Sequence, residues 1–153
     1  MPDIALYVPS LRGGGAERVM VLLANGLAER GYAVDLVTAS AEGPYRTEVS
    51  PSVQLVDLEA KRVAGSLPGL VRYLRLAKPK SMLSAVAHAN VIAVLARSFA
   101  HIPTRLVVSE HNTLSESRKQ TKDLSGKIVQ SLMRWAYSKA DAVVAVCKCE
   151  ADD

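Results

Sequence analysis

Two clusters in this 153-residue sequence have residue types suited to chemistry. The first is Gly13-Gly14-Gly15, within the stretch Leu11-Arg-Gly-Gly-Gly-Ala-Glu-Arg18. Three consecutive glycines carry no Cβ to hold a ligand or another backbone away, and they permit positive φ values. If a helix starts there, its first amides lack intrahelical acceptors and point outward, backed by the positive end of the helix dipole. A phosphate or diphosphate suits that position. A tight strand-to-helix crossover that binds nothing uses the same residues, so the glycines by themselves leave both readings open. The second cluster is Glu110-His111-Asn112, three hydrogen-bonding side chains in a row. A histidine in such a place donates to a hydroxyl or stabilises developing charge near neutral pH.

These clusters need a scaffold, and the apolar pattern supplies one. Residues 4–8 form a short apolar run, and Val19, Leu22, Leu23, Gly26 and Leu27 then recur at helical spacing, with Gly31 placed to end the helix. Apolar strands are predicted at residues 33–38, 53–58, 82–86, 105–109 and 142–146. Helices are predicted at 67–77, at 88–100 and along the face Leu124, Ile128, Leu132, Trp135 and Ala136. Residues 40–52 and 110–122 read as loops. Short, nearly all-apolar strands alternating with helices predict an α/β fold: a Rossmann-like, doubly wound parallel sheet covered on both faces. Ligands of such sheets sit beyond the carboxyl ends of the strands. Gly13 to Gly15, Ser40 to Gly43, His88 and Asn90, and Glu110 to Asn112 all fall there. For His88, capping or lining the start of its helix is as good an account as ligand contact. His101 is explained by a favourable position at a helix end.

Composition narrows the class. Hydrophobic residues make up 49% and charged residues 22%, as in an ordinary folded domain, and the length suits a single one. The net charge of +4 permits an anionic partner without requiring one. Met1-Pro2-Asp3 shows no secretory pattern, and residues 82–100, the most apolar span, are interrupted by His88, Asn90 and Arg97; a cytoplasmic chain is expected. Cys147 and Cys149 offer no disulfide framework, and the three histidines show no spacing that would complete a metal site with them. Arg118, Lys119, Lys122 and Lys127 form a basic group. A solvated face accounts for it, and attraction to an anionic membrane at its cytoplasmic side, or to a phosphorylated acceptor, is the functional alternative. Nucleic acid is disfavoured because no aromatic residues are interleaved to stack bases.

A dinucleotide fingerprint fails on two counts. Arg18 stands where the third glycine belongs, and residues 38–40, Thr-Ala-Ser, end the second strand with no acidic residue for a ribose. The stretch Gly13-Gly-Gly-Ala-Glu-Arg-Val-Met20 instead resembles the amino-terminal domain of family 4 glycosyltransferases. The likeness continues through Leu27-Ala-Glu-Arg-Gly31, Val34-Asp-Leu-Val-Thr38, Ala87-His-Ala-Asn90, Ser109-Glu-His-Asn-Thr113 and Ala140-Asp-Ala-Val-Val-Ala-Val146. Those enzymes are retaining, use nucleotide-diphosphate sugars, and consist of two facing Rossmann-like domains, the GT-B arrangement.

The resemblance implies that residues 1–153 are one such domain, on the acceptor side, with the carboxyl-terminal donor-binding domain absent. It further implies that Gly13, Gly14 and Gly15 lie near the donor diphosphate and that His111 lies beside the transferred sugar or the acceptor. His88, Asn90, Glu110 and Asn112 would border the acceptor pocket. No metal or other cofactor is implied beyond the nucleotide-sugar co-substrate, and the chain alone is expected to catalyse little or no transfer. Cys147 and Cys149 depart from the serine and glycine usual in the family, and Lys80 from an acidic residue. Two other readings fit the residues less fully: a non-catalytic Rossmann-like binding or interaction module, and a nicotinamide-dinucleotide-binding domain.

Overall fold

The computed structural model describes residues 1–111 and 124–145. Its strands are β1 (Ile4–Val8), β2 (Val34–Thr38), β3 (Gln54–Asp57), β4 (Ser81–Ala85), β5 (Arg105–Glu110) and β6 (Ala142–Ala145). The helices are α1 (Gly15–Glu29), α2 (Leu67–Ala77), α3 (Ala87–Ala100) and α4 (Leu124–Lys139). The six strands form one parallel sheet ordered β3-β2-β1-β4-β5-β6. Chain order reverses between β1 and β4, the switch point at which doubly wound sheets open a crevice for ligands. The α/β, Rossmann-like expectation is thereby met.

Alternation along each strand builds a core on both sheet faces. Tyr7, Val37, Met82, Leu106 and Val108 point to the side covered by α2, α3 and α4. Leu6, Val8, Leu36 and Ala85 point to the side covered by α1. β1 lies at the centre, and Ala5 to Val8 are inaccessible to solvent. This double burial is why its sequence is almost uniformly apolar.

Helix ends follow local chemistry. Lys78 takes the left-handed conformation at φ 47° just before Pro79, and His101 does the same at φ 53° before Ile102-Pro103. Both positions stop a helix whose continuation proline forbids. His101 is therefore an exposed helix terminator.

The faces of two helices differ from expectation. α1 buries Met20, Val21 and Ala24 and leaves Val19, Leu22 and Leu23 exposed. α4 buries Met133 and Ala136 and leaves Ile128, Leu132 and Trp135 exposed. The buried side of α1 packs on the sheet and that of α4 packs on α3, so that of the face expected for α4, Ala136 is buried while Ile128, Leu132 and Trp135 are not. Residues 40–52, expected to be a plain loop, contain a 3-10 turn at Pro44–Glu48. Residues 82–100 resolve into β4 and α3 as expected, and no helix among the described residues is long and apolar enough to cross a membrane. Asn112, Arg118, Lys119, Lys122, Cys147 and Cys149 lie outside the described residues.

Candidate functional site

The switch point places the first cluster at the mouth of the sheet. β1 runs out through buried Leu11 into Gly13, whose φ of +123° is a conformation that side-chain-bearing residues rarely adopt. Gly14 is the residue before α1 and carries no side-chain cap, so the amides of Gly15, Ala16 and Glu17 open α1 without intrahelical acceptors. Glu17 folds back over this turn: its Oε2 lies 2.0 Å from where a Cβ on Gly14 would stand. The helix thus meets its own dipole with a movable carboxylate. Gly15 has nothing within 4 Å of its would-be Cβ, so it borders open space.

The link between β2 and β3 braces the turn from behind. Leu11 donates its amide to Glu42 and accepts one from Tyr45, each at 3.1 Å, and the Tyr45 hydroxyl reaches the Gly13 carbonyl at 3.4 Å. Gly43 passes so close that a Cβ there would lie 2.0 Å from the Leu11 carbonyl oxygen. Outside these contacts Arg12 pairs with Glu42 at 2.6 Å. A hollow of about 490 Å³ beyond them includes Ser40 and sets Arg12, Arg46 and Lys61 against Glu42, Asp57 and Glu59, so its charges balance.

The second cluster arrives at the same place from β5. Gly14, Gly15, Ala16, Glu17, Val19, Val86 and His111 line one cleft of about 560 Å³. His111 is half-buried, with Nε2 3.0 Å from the Ser109 hydroxyl. Val86, between β4 and α3, has φ 77° and ψ 131°, an unfavourable backbone state for a β-branched residue. Such strain collects at functional sites. Sequence reasoning passed over Val86, because a valine at the end of an apolar strand gives no sign of its φ.

Asn90 and Glu110 are brought beneath the cleft, not onto its surface. Asn90 is fully buried, and its amide donates to the Ser109 carbonyl at 3.1 Å and to the Tyr137 hydroxyl at 3.4 Å. Tyr137 in turn donates to the Glu110 carboxylate, which is itself buried. Burial raises the Tyr137 hydroxyl well above the usual tyrosine range, and the neighbouring Glu110 carboxylate adds to the effect, so it stays a donor. These two therefore lie in a buried hydrogen-bonded group at the end of β5 and are not among the residues lining the cleft. His88 is exposed in the first turn of α3 and is not among the residues lining the cleft. Among the described residues, no three His, Cys, Asp or Glu side chains gather as metal ligands.

The chain matches a glycosyl transferase 4-like domain over residues 14–153. Among solved structures it is similar to sucrose-phosphate synthase from Thermosynechococcus elongatus, with a TM-score of 0.69 at 16% identity, over 94% of this chain and 42% of that one. It is similar to Anabaena HepE, solved in complex with UDP and glucose, with a TM-score of 0.68 at 17% identity, over 98% of this chain and 39% of that one. The lipopolysaccharide outer core galactosyltransferase WaaB, in its apo form, gives 0.67 at 12% identity, over 97% and 40%. None of the curated proteins matches in sequence. At these identities the structural likeness is one of fold, and the chain spans about 40% of the length of these structures.

Proposed function

The chain belongs to the glycosyl transferase 4-like domain family, and from that premise we propose that it forms the acceptor-side half of a retaining, GT-B glycosyltransferase. The enzyme moves a sugar from a nucleotide-diphosphate donor to a glycan, lipid or small-molecule acceptor. The observation that supports this reading is the single cleft shared by the glycine turn and His111. In the proposal, the donor diphosphate faces the free amides at the start of α1. As the bond to the sugar breaks, negative charge grows on the diphosphate, and preorganised donors aimed there lower the barrier. Glu17 lies over that ground and swings aside, as the far end of a flexible side chain can.

His111, steadied by Ser109, reaches the transferred sugar or the acceptor hydroxyl. His88 and Asn112 border the acceptor side, while Asn90 and Glu110 hold the strand end. The amides meet the leaving-group charge, so the proposal calls for no metal and no cofactor besides the donor. A second domain closes the cleft and supplies the remaining donor contacts, and the proposed compartment is the cytoplasm. Without that domain the chain transfers little or no sugar.

Titration of the full-length protein with nucleotide-diphosphate sugars and with nicotinamide dinucleotides tests this. Binding of a nucleotide-sugar is expected, weakened at least about tenfold in Gly15→Val, whose added side chain meets only what enters the cleft. Binding of a dinucleotide with no response to any nucleotide-sugar would overturn the proposal.

A further inference from the structure

We propose that the hollow beyond β2 and β3 is a subsite for a neutral oligosaccharide, holding the sugars next to the one that reacts. Its place on the acceptor's path rests on the transferase reading, and it narrows the acceptor from a glycan, lipid or small molecule to a glycan. The hollow measures about 490 Å³ and lies against the glycine turn, because Arg12, on its wall, is followed directly by Gly13.

Its walls are built before any ligand arrives. On one side Leu11 is bonded through its backbone to Glu42 and Tyr45. On the other, the Leu58 amide donates to the Thr38 carbonyl at 2.9 Å and the Ala60 amide to the Ala39 carbonyl at 2.8 Å. Between them Glu59 takes the left-handed conformation at φ 53°, and its amide donates to the Asp57 carboxylate at 2.9 Å. A backbone fixed in this way needs no ordering when a ligand binds.

Charge decides what enters. Arg12, Arg46 and Lys61 share the hollow with Glu42, Asp57 and Glu59. Arg12 pairs with Glu42, but among the described residues no ion pair joins Arg46 or Lys61 to Asp57 or Glu59. These four side chains keep hydrogen-bonding capacity for a ligand. An anion meets three carboxylates there, a cation meets three bases, and an acyl chain finds only Ala60 to cover it. A sugar hydroxyl donates to a carboxylate and accepts from a guanidinium or ammonium group, so a neutral polyol uses both signs at once.

Position suits a chain of sugars. The hollow sits at the ends of β2 and β3, and the cleft at the switch point between β1 and β4. Neighbouring strands lie about 4.8 Å apart, which puts the hollow two strand spacings, roughly 10 Å, along the same edge of the sheet. A glycan whose reacting end lies in the cleft reaches the hollow with the residues that follow.

Binding of the full-length protein to immobilised glycans tests this, with neutral mono-, di- and trisaccharides set beside their phosphorylated forms. Neutral di- and trisaccharides should bind more tightly than monosaccharides, and alike at low and high salt. Glu42→Gln and Lys61→Met should each weaken that binding about tenfold, the scale of one lost charge-assisted hydrogen bond. Nucleotide-sugar binding and the melting midpoint should stay unchanged in both, since each residue is exposed and outside the cleft. The proposal is overturned by no binding of neutral glycans, by binding confined to phosphorylated ones and released by salt, or by neutral binding that both variants retain. Where nucleotide-sugars still bind, such a result removes the subsite alone. Glycan binding that falls in both variants, in a protein that ignores every nucleotide-sugar, supports the hollow as a carbohydrate site and removes the transferase reading instead.

Discussion

His111 owes its value to what stands behind it. Its Nε2 meets the Ser109 hydroxyl, the Ser109 carbonyl accepts from Asn90, and Asn90 and Glu110 both meet Tyr137. The imidazole is held at the cleft wall by groups that never reach the cleft. His111→Ala in the full-length enzyme should then lower kcat by about a hundredfold or more, the usual scale of a lost positioned acid, base or donor, with the melting midpoint unchanged. An unaltered kcat would remove His111 from the chemistry. The place of His111 at the cleft was legible in the sequence, since it follows directly on the carboxyl end of an apolar strand. Asn90 looked equally eligible. Its buried amide is bonded to Ser109 and Tyr137, 19 and 47 residues later in the chain, and no local pattern carries that information.

Among the elements, the link after β2 matters more than its composition announces. Gly43 combines φ +134° with a backbone-to-backbone approach to Leu11, so no side chain fits there without moving the strand that feeds the glycine turn. Gly43→Ala should cost on the order of 1–3 kcal/mol of stability, measured by denaturant unfolding, and should weaken nucleotide-sugar binding as well. A stable variant with normal donor binding would mean that the brace is dispensable.

The strands were readable because burial on both faces leaves little room for polar residues. Helix positions were readable from period, but helix orientation was not. In α1 both Val19-Leu22-Leu23 and Met20-Val21-Ala24 fall along one side of a helix, and it is the second that packs with Leu6 and Leu36. Asp141 shows another long-range choice. It accepts from the Leu106 amide at 2.7 Å and pairs with Arg97, and these contacts hold its carboxyl below the usual aspartate range while tying α3, β5 and β6 together.

For the whole molecule, strand order is what makes two distant motifs one site. β1 and β4 are neighbours at the switch point and β5 lies next to β4, so residues 14–17, Val86 and His111 meet although about a hundred positions separate the first from the last. Sequence motifs named the two ends of that arrangement. They could not supply Val86, whose positive φ lies at the junction of β4 and α3.

Amide hydrogen exchange on the full-length protein, with and without a nucleotide-diphosphate sugar, tests the shared cleft most directly. The donor is expected to slow exchange together in the peptide spanning residues 13–17 and in the one carrying His111. Protection elsewhere in the protein, with residues 13–17 exchanging as fast as before, would contradict it.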